Sequence, residues 1–84
     1  MTNRTHKIEV TNASKRPRMV AVEPWADEYT LAPEAKLTIV TVAEEGPAAA
    51  EGPWFSVIEW DDTTQVYCEA TADYYVEQEG KRLL

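Results

Sequence analysis

The sequence predicts an all-β fold, an antiparallel Greek-key sandwich or small barrel of seven to eight short strands. Apolar residues recur at every second position in several segments, which is the period of a half-buried strand. Turn residues separate these segments at intervals of roughly 8–12 residues, a spacing typical of sandwiches and barrels. The three Trp and four Tyr residues suit such pleated surfaces. No segment shows the 3.6-residue period of an amphipathic helix.

Four strands are predicted in the first half of the chain. The first places His6, Ile8 and Val10 on one face. Pro17 and Pro24 separate the first three strands, because proline cannot donate a hydrogen bond to a neighbouring strand. The fourth carries apolar residues on both faces, which is typical of a central strand with cover on each side. The four predicted strands are residues 5–11, 18–23, 27–31 and 36–43.

The second half of the chain predicts a hairpin and two further short strands. An aromatic and apolar segment precedes a polar turn at residues 61–64, so the chain is expected to return antiparallel to it. Trp54 and Trp60 share one face of that segment with Ile58, which predicts that both lie in the core. Residues 44–53 contain two Gly-Pro pairs and are predicted to form an exposed loop. The predicted strands here are residues 54–60, 65–71, 74–77 and 81–84, and further reversals are predicted at residues 72–73 and 78–80.

Length, charge and cysteine content exclude several classes of protein. A chain of 84 residues is long enough for one modest core, so residues 1–84 are expected to form a single domain. No segment has the ~20 apolar residues of a membrane-spanning helix, and the polar N-terminus lacks a secretory signal. One cysteine cannot form a disulfide within the chain, so we expect a cytoplasmic protein without a membrane partner. The net charge of −7 argues against nucleic acid as a partner, because phosphate binding needs a basic surface.

Two stretches of the first half are similar to a known group of proteins. Residues 8–12, and residues 22–29 followed by 31–33, resemble small uncharacterised bacterial β-sandwich proteins with a cupredoxin-like Greek-key arrangement. The resemblance implies that fold and carries no assigned activity. Cupredoxins proper bind copper through two His, one Cys and usually an axial Met. This chain has His6 alone, and no His or Met follows Cys68, so no copper site is expected.

No arrangement of residues indicates catalysis or a metal site. A nucleophilic Cys68 would need a neighbouring base, and His6 is the one histidine; Cys68 also alternates in phase with apolar neighbours, as a small buried side chain does. Glu59 and the turn Asp61-Asp62 offer oxygens to calcium but lack the spacing of a calcium-binding loop. We therefore expect a protein that is not an enzyme, with no metal and no cofactor. One alternative to this expectation is an enzyme whose site uses scattered carboxylates.

One predicted corner of the sandwich carries residues suited to recognition. Trp25 follows the strand-ending Pro24 and precedes two acids, and an aromatic residue at a loop tip with a polar rim is typical of a partner-binding surface. Alternatively, Trp25 folds back and caps one end of the core. We expect an unidentified protein partner or self-association; the alternative is a carbohydrate- or small-ligand-binding module that uses Trp25 and Tyr29. The candidate partner-binding residues are Glu23, Trp25, Asp27, Glu28 and Tyr29.

Overall fold

The computed structural model describes residues 4–43, 53–69 and 71–83, and in these ranges the chain forms strands and no helix. The strands make two four-stranded sheets, so the all-β prediction is confirmed. Except for the exposed Pro53, the predicted loop at 44–53 lies outside the described residues. The strands are β1 (Arg4–Thr11), β2 (Arg18–Glu23), β3 (Asp27–Leu31), β4 (Lys36–Ala43), β5 (Phe55–Glu59), β6 (Thr63–Cys68), β7 (Thr71–Gln78) and β8 (Lys81–Leu83).

The two sheets have the strand orders β1-β4-β7-β8, here called sheet A, and β3-β2-β6-β5, here called sheet B. All neighbouring strands are antiparallel except β2 and β6, which pair in parallel with Val22 opposite Val66. The prediction of a purely antiparallel arrangement is therefore wrong for this pair. Parallel neighbours need a long crossover, and here the chain passes through β4 of sheet A before β6 returns to β2.

The core lies between the sheets and is built from alternate positions of the central strands. In sheet B, Val20 and Val22 of β2 point inward; in sheet A, Leu37 and Ile39 of β4 do so. These side chains are almost completely removed from water, which supplies the main force that holds the sheets together. The buried members of the cluster are Val20, Val22, Leu31, Leu37, Ile39, Val66, Cys68 and Val76.

Strand β4 has cover on both faces, as its apolar residues predict. Ile39 lies on the core face, opposite Ile8 of β1 and Val76 of β7. On the other face Val40 is also completely buried, between Lys7 of β1 and Tyr75 of β7 in the register. Lysine and tyrosine at such neighbouring positions can lay apolar stems along the surface of a sheet. The prediction of a central strand is confirmed.

The hairpin that follows β4 differs from the prediction in which face is buried. Trp60 is 56% exposed and Ile58 is 43% exposed, so the prediction that Trp60 lies in the core is wrong. Trp54 is half-buried and stacks on the ring of His6 in β1, with ring centroids 4.0 Å apart. The reason is that β5 carries apolar residues on both faces, and Phe55, on the face opposite Ile58, is the one that packs against the core.

Two predicted turns shift along the chain and a third is confirmed. Thr64, predicted in the turn, belongs to β6 and is buried, and the reversal predicted at residues 72–73 lies inside β7. The hairpin between β7 and β8 turns at Glu79 and Gly80, both with positive φ, as predicted. Thr64 was misassigned because its hydroxyl is polar by type but is bonded to Glu59.

Candidate functional site

The predicted corner is the turn between β2 and β3. A cis peptide bond joins Glu23 to Pro24, and Ala26 has φ of 60°, in the left-handed region. Trp25 lies between them, half-buried and packed against the core cluster. Its ring contacts Tyr74 of β7 in the opposite sheet, with centroids 4.5 Å apart and ring planes tilted by 33°. The turn therefore joins the edge of sheet B to sheet A.

Hydrogen bonds between side chains cross the two sheets at this corner. The hydroxyl of Tyr74 donates to Oδ2 of Asp27. The hydroxyl oxygens of Tyr29 and Tyr74 are 2.8 Å apart. A phenol has one proton, so Tyr29 is the donor to Tyr74 once Tyr74 donates to the carboxylate. Asp27 and Tyr29 are two residues apart on β3 and therefore share one face.

The surroundings of Tyr74 keep its hydroxyl protonated. Burial raises the pKa of Tyr74 far above its usual value, and the hydrogen bonds with Asp27 and Tyr29 raise this pKa further. At neutral pH Tyr74 is thus a hydrogen-bond donor. Burial, assisted by the nearby charge of Glu69, also raises the pKa of Cys68 to about 11, so this side chain is a neutral thiol at neutral pH.

A pocket of about 440 Å³ opens beside these hydrogen bonds, between the β3 edge of sheet B and β7 and β8 of sheet A. Four of its nine lining residues are aromatic, and its charged residues have both signs. The guanidinium of Arg82 lies over the ring of Tyr75, 4.2 Å from the centroid. This volume is within the range of sites for small ligands or single side chains. The corner pocket is defined here by Trp25, Asp27, Tyr29, Tyr74, Tyr75 and Arg82.

The structure brings three of the five predicted residues together at the corner pocket: Trp25, Asp27 and Tyr29. Glu23 lies opposite Tyr67, and the exposed Glu28 lies opposite Ala21, so neither belongs to the pocket lining.

Sequence reasoning did not select Tyr74, Tyr75 or Arg82. The adjacent tyrosines at the start of a predicted strand were visible as a strand signal, but nothing local indicates that they meet Trp25.

The side chain of Arg18 binds the acidic turn that follows β5. Nη2 of Arg18 lies 3.1 Å from a carboxylate oxygen of Glu59, and Nη1 donates to the carbonyl oxygen of Asp61 at 3.0 Å. Nε of Arg18 donates to the hydroxyl of Thr64, and the Arg18 side chain is only 16% exposed. Arg18 thus fastens the β5–β6 turn. Within the described ranges, no three potential ligand side chains are grouped as a metal site requires.

Comparisons with known proteins provide no relative for this chain. No family model, no curated protein and no solved structure matches it. In the part of the chain that the structure describes, no helix is long and apolar enough to cross a membrane.

Proposed function

We propose that this protein is a non-enzymatic binding domain that holds a basic side chain of a partner protein in the corner pocket. The observation that carries this proposal is a pocket whose lining residues include four aromatic ones and the exposed Asp27. Aromatic faces attract cations, most strongly where water is partly excluded. A carboxylate beside such faces adds direct attraction for a guanidinium or ammonium group.

Arg82 supports the choice of a guanidinium as the occupant. It already lies over the face of Tyr75 at a distance typical of a cation–π contact. The corner therefore contains one example of the arrangement that a partner's arginine would make over Trp25. The net charge of −7 favours encounter with a basic partner at ordinary ionic strength.

The pocket is built before any partner arrives. The hydrogen bonds from Tyr29 to Tyr74 and from Tyr74 to Asp27 hold these side chains in one geometry, and the ring of Trp25 contacts the same tyrosine. A site with fixed side chains loses little conformational entropy on binding. Asp27 keeps acceptor capacity after it accepts from Tyr74, because a carboxylate has about four lone-pair sites.

The test is an NMR titration with N-acetyl-arginine amide as the probe. We expect the NMR signal of the Trp25 indole NH to shift with probe concentration. Asp27→Asn keeps an acceptor for the hydroxyl of Tyr74 but removes the negative charge, so it should weaken binding at least about fivefold. The matched control is Glu28→Gln, which removes the same charge one residue away from the pocket lining. Equal weakening by both variants, or no Trp25 shift with the probe, would contradict the proposal.

A carbohydrate or small ligand is the second candidate, favoured by the combination of ring faces with Asp27 and Arg82 as hydrogen-bonding groups. Arg82→Gln separates the two candidates. Removing its positive charge should strengthen binding of the arginine probe, whereas replacing the five-donor guanidinium by an amide with two donors should weaken binding of N-acetylglucosamine.

A cytoplasmic location stays a prediction.

We also propose the finer fold assignment, a cupredoxin-like Greek-key sandwich. Eight strands in two sheets, with the chain crossing between sheets after β1, β3, β4 and β6, support this topology. Backbone NOE contacts between Val22 and Val66 would show the parallel pairing of β2 with β6, on which this topology depends. A different neighbour of β6 would contradict it.

A further inference from the structure

The large hydrophobic side chains that are exposed in the described part of the chain all lie on or next to one strand. Val57, Ile58 and Trp60 are 46%, 43% and 56% exposed. Val57 and Ile58 belong to β5, and Trp60 follows it directly. This strand is the outermost one of sheet B, so one row of its backbone NH and carbonyl groups has no partner within the sheet.

β5 differs in charge from the other outer strands of the two described sheets. β3 begins with two acidic residues, β8 begins with two basic residues and spans only three, and β1 carries Lys7 and Glu9. Charged side chains and short length are the usual means by which an edge resists pairing. The only charge on β5 is Glu59, and Arg18 neutralises it from within the chain. β5 is thus the outer strand with the fewest charged residues, and its one charge is paired; on β1, Lys7 and Glu9 are also paired, with Glu77 and Lys36.

We propose that β5 pairs antiparallel with β5 of a second copy of this chain, independently of the corner pocket, which lies at the opposite edge of sheet B. The strand is self-complementary about a two-fold axis through Val57. In that register Ser56 lies opposite the partner's Ile58, and Glu59 lies opposite the partner's Phe55. No like charges face each other, and a small residue meets a large one. The result is one continuous eight-stranded sheet across two copies.

This dimer closes on itself and is weak. Each copy has one β5, so the two-fold contact uses the edge on both sides and leaves no open end for polymers. Five paired residues and three apolar side chains form a contact below the ~1,200 Å² of stable interfaces. Both copies also carry a net charge of −7, whose repulsion is screened by salt. Association should therefore depend on concentration and become stronger as salt is added.

Sedimentation velocity of the full chain between about 10 µM and about 1 mM, at low and high salt, tests this inference. We expect the weight-average sedimentation coefficient to rise with concentration, and to rise further in salt. Amides of β5 that do not pair with β6 should exchange more slowly at high protein concentration. A chain that is monomeric throughout, or association that salt weakens, would overturn the inference.

Two variants locate the contact. Ile58→Lys places a charge on the outer face of β5 and should weaken dimerisation at least about tenfold. Thr30→Lys is the matched control, because Thr30 is exposed on β3, the other outer strand of sheet B. Both variants lower the net negative charge equally, so repulsion between copies changes by the same amount. Unchanged melting by circular dichroism shows that each variant is folded, and equal dimerisation of the two would contradict the inference.

Discussion

The two sides of the sandwich are closed by different kinds of contact. On the β3 side, hydrogen bonds between Tyr29, Tyr74 and Asp27 join the sheets. On the β5 side, His6 of sheet A stacks on Trp54 with ring planes 15° apart. Nε2 of His6 is buried and has no hydrogen-bond partner among the described residues. Among the described residues, directed polar bonds join the sheets on the β3 side, and a ring stack joins them on the β5 side.

This difference explains why the two sides offer different surfaces. Directed hydrogen bonds hold side chains at fixed distances, which leaves a defined pocket with charged groups on the β3 side. The ring stack on the β5 side fixes no polar groups around a pocket, and the strand edge beside it exposes apolar side chains. We therefore expect substitutions on the β3 side to cost more stability, while substitutions on the β5 side mainly change association.

The largest expected difference is between two tryptophans. Trp25→Ala should lower the free energy of unfolding by about 2–4 kcal/mol, because it removes core packing and the ring contact with Tyr74. Trp60→Ala should cost less than about 1 kcal/mol, since the side chain is mostly exposed. Urea unfolding of both variants measures this. A greater loss for Trp60→Ala would contradict the comparison.

The hydroxyl of Tyr74 should contribute less to the free energy of unfolding than the ring of Trp25 does, but more than an exposed hydroxyl does. Tyr74→Phe should cost about 1–2 kcal/mol, because Tyr29 and Asp27 both lose a bonded partner while the ring contact with Trp25 remains. Tyr75→Phe is the control and should be close to neutral. Equal losses in urea unfolding would show that the bonds across the sheets do not hold the corner.

Alkaline pH should reduce the contribution of Tyr74. Its pKa is raised in the folded state, so the unfolded chain releases this proton first, at a pH of about 10. Stability from this group is therefore complete below pH ~10 and is lost as pH rises toward the folded pKa. The gap in unfolding free energy between the wild-type protein and Tyr74→Phe should narrow above pH 10. A gap that stays constant above pH 10 would contradict the raised pKa of Tyr74. Both proteins carry Cys68, so the ionisation of its thiol contributes equally to the two unfolding free energies.

The smallest effect has the opposite sign. His6→Phe keeps a ring against Trp54 and removes the buried nitrogen that has no partner, so it should raise stability by about 0.5–1 kcal/mol. Thermal unfolding near neutral pH measures the change. A loss above about 1 kcal/mol would show that His6 makes a polar contact that matters to the fold.

The positions of most strands could be predicted from the sequence, and their partners could not. Alternation and prolines predict β2, β3 and β4 at their observed residues, because the pleat and the loss of a donor act locally. The parallel pairing of β2 with β6 depends on contacts far apart in the chain. The exposed face of β5 was misjudged because both of its faces are apolar, and alternation does not distinguish them.

The candidate site was predictable only in the part that is continuous in sequence. Trp25, Asp27 and Tyr29 lie within five residues, so their composition was visible in one segment. Tyr74 comes from the other sheet, and only the packing of β3 against β7 brings it to Asp27. Trp25 also combines the two alternatives open at first: it packs against the core and lines the corner pocket.

The most direct test of the account is the position of a bound arginine probe. Intermolecular NOEs should be measured between the side-chain methylene protons of N-acetyl-arginine amide and the assigned aromatic protons of this protein. We predict NOEs to the rings of Trp25 and Tyr29, and none to Trp60. NOEs confined to Trp60, or no NOEs at the corner with the probe at saturation, would contradict the assignment of the corner pocket as the binding site.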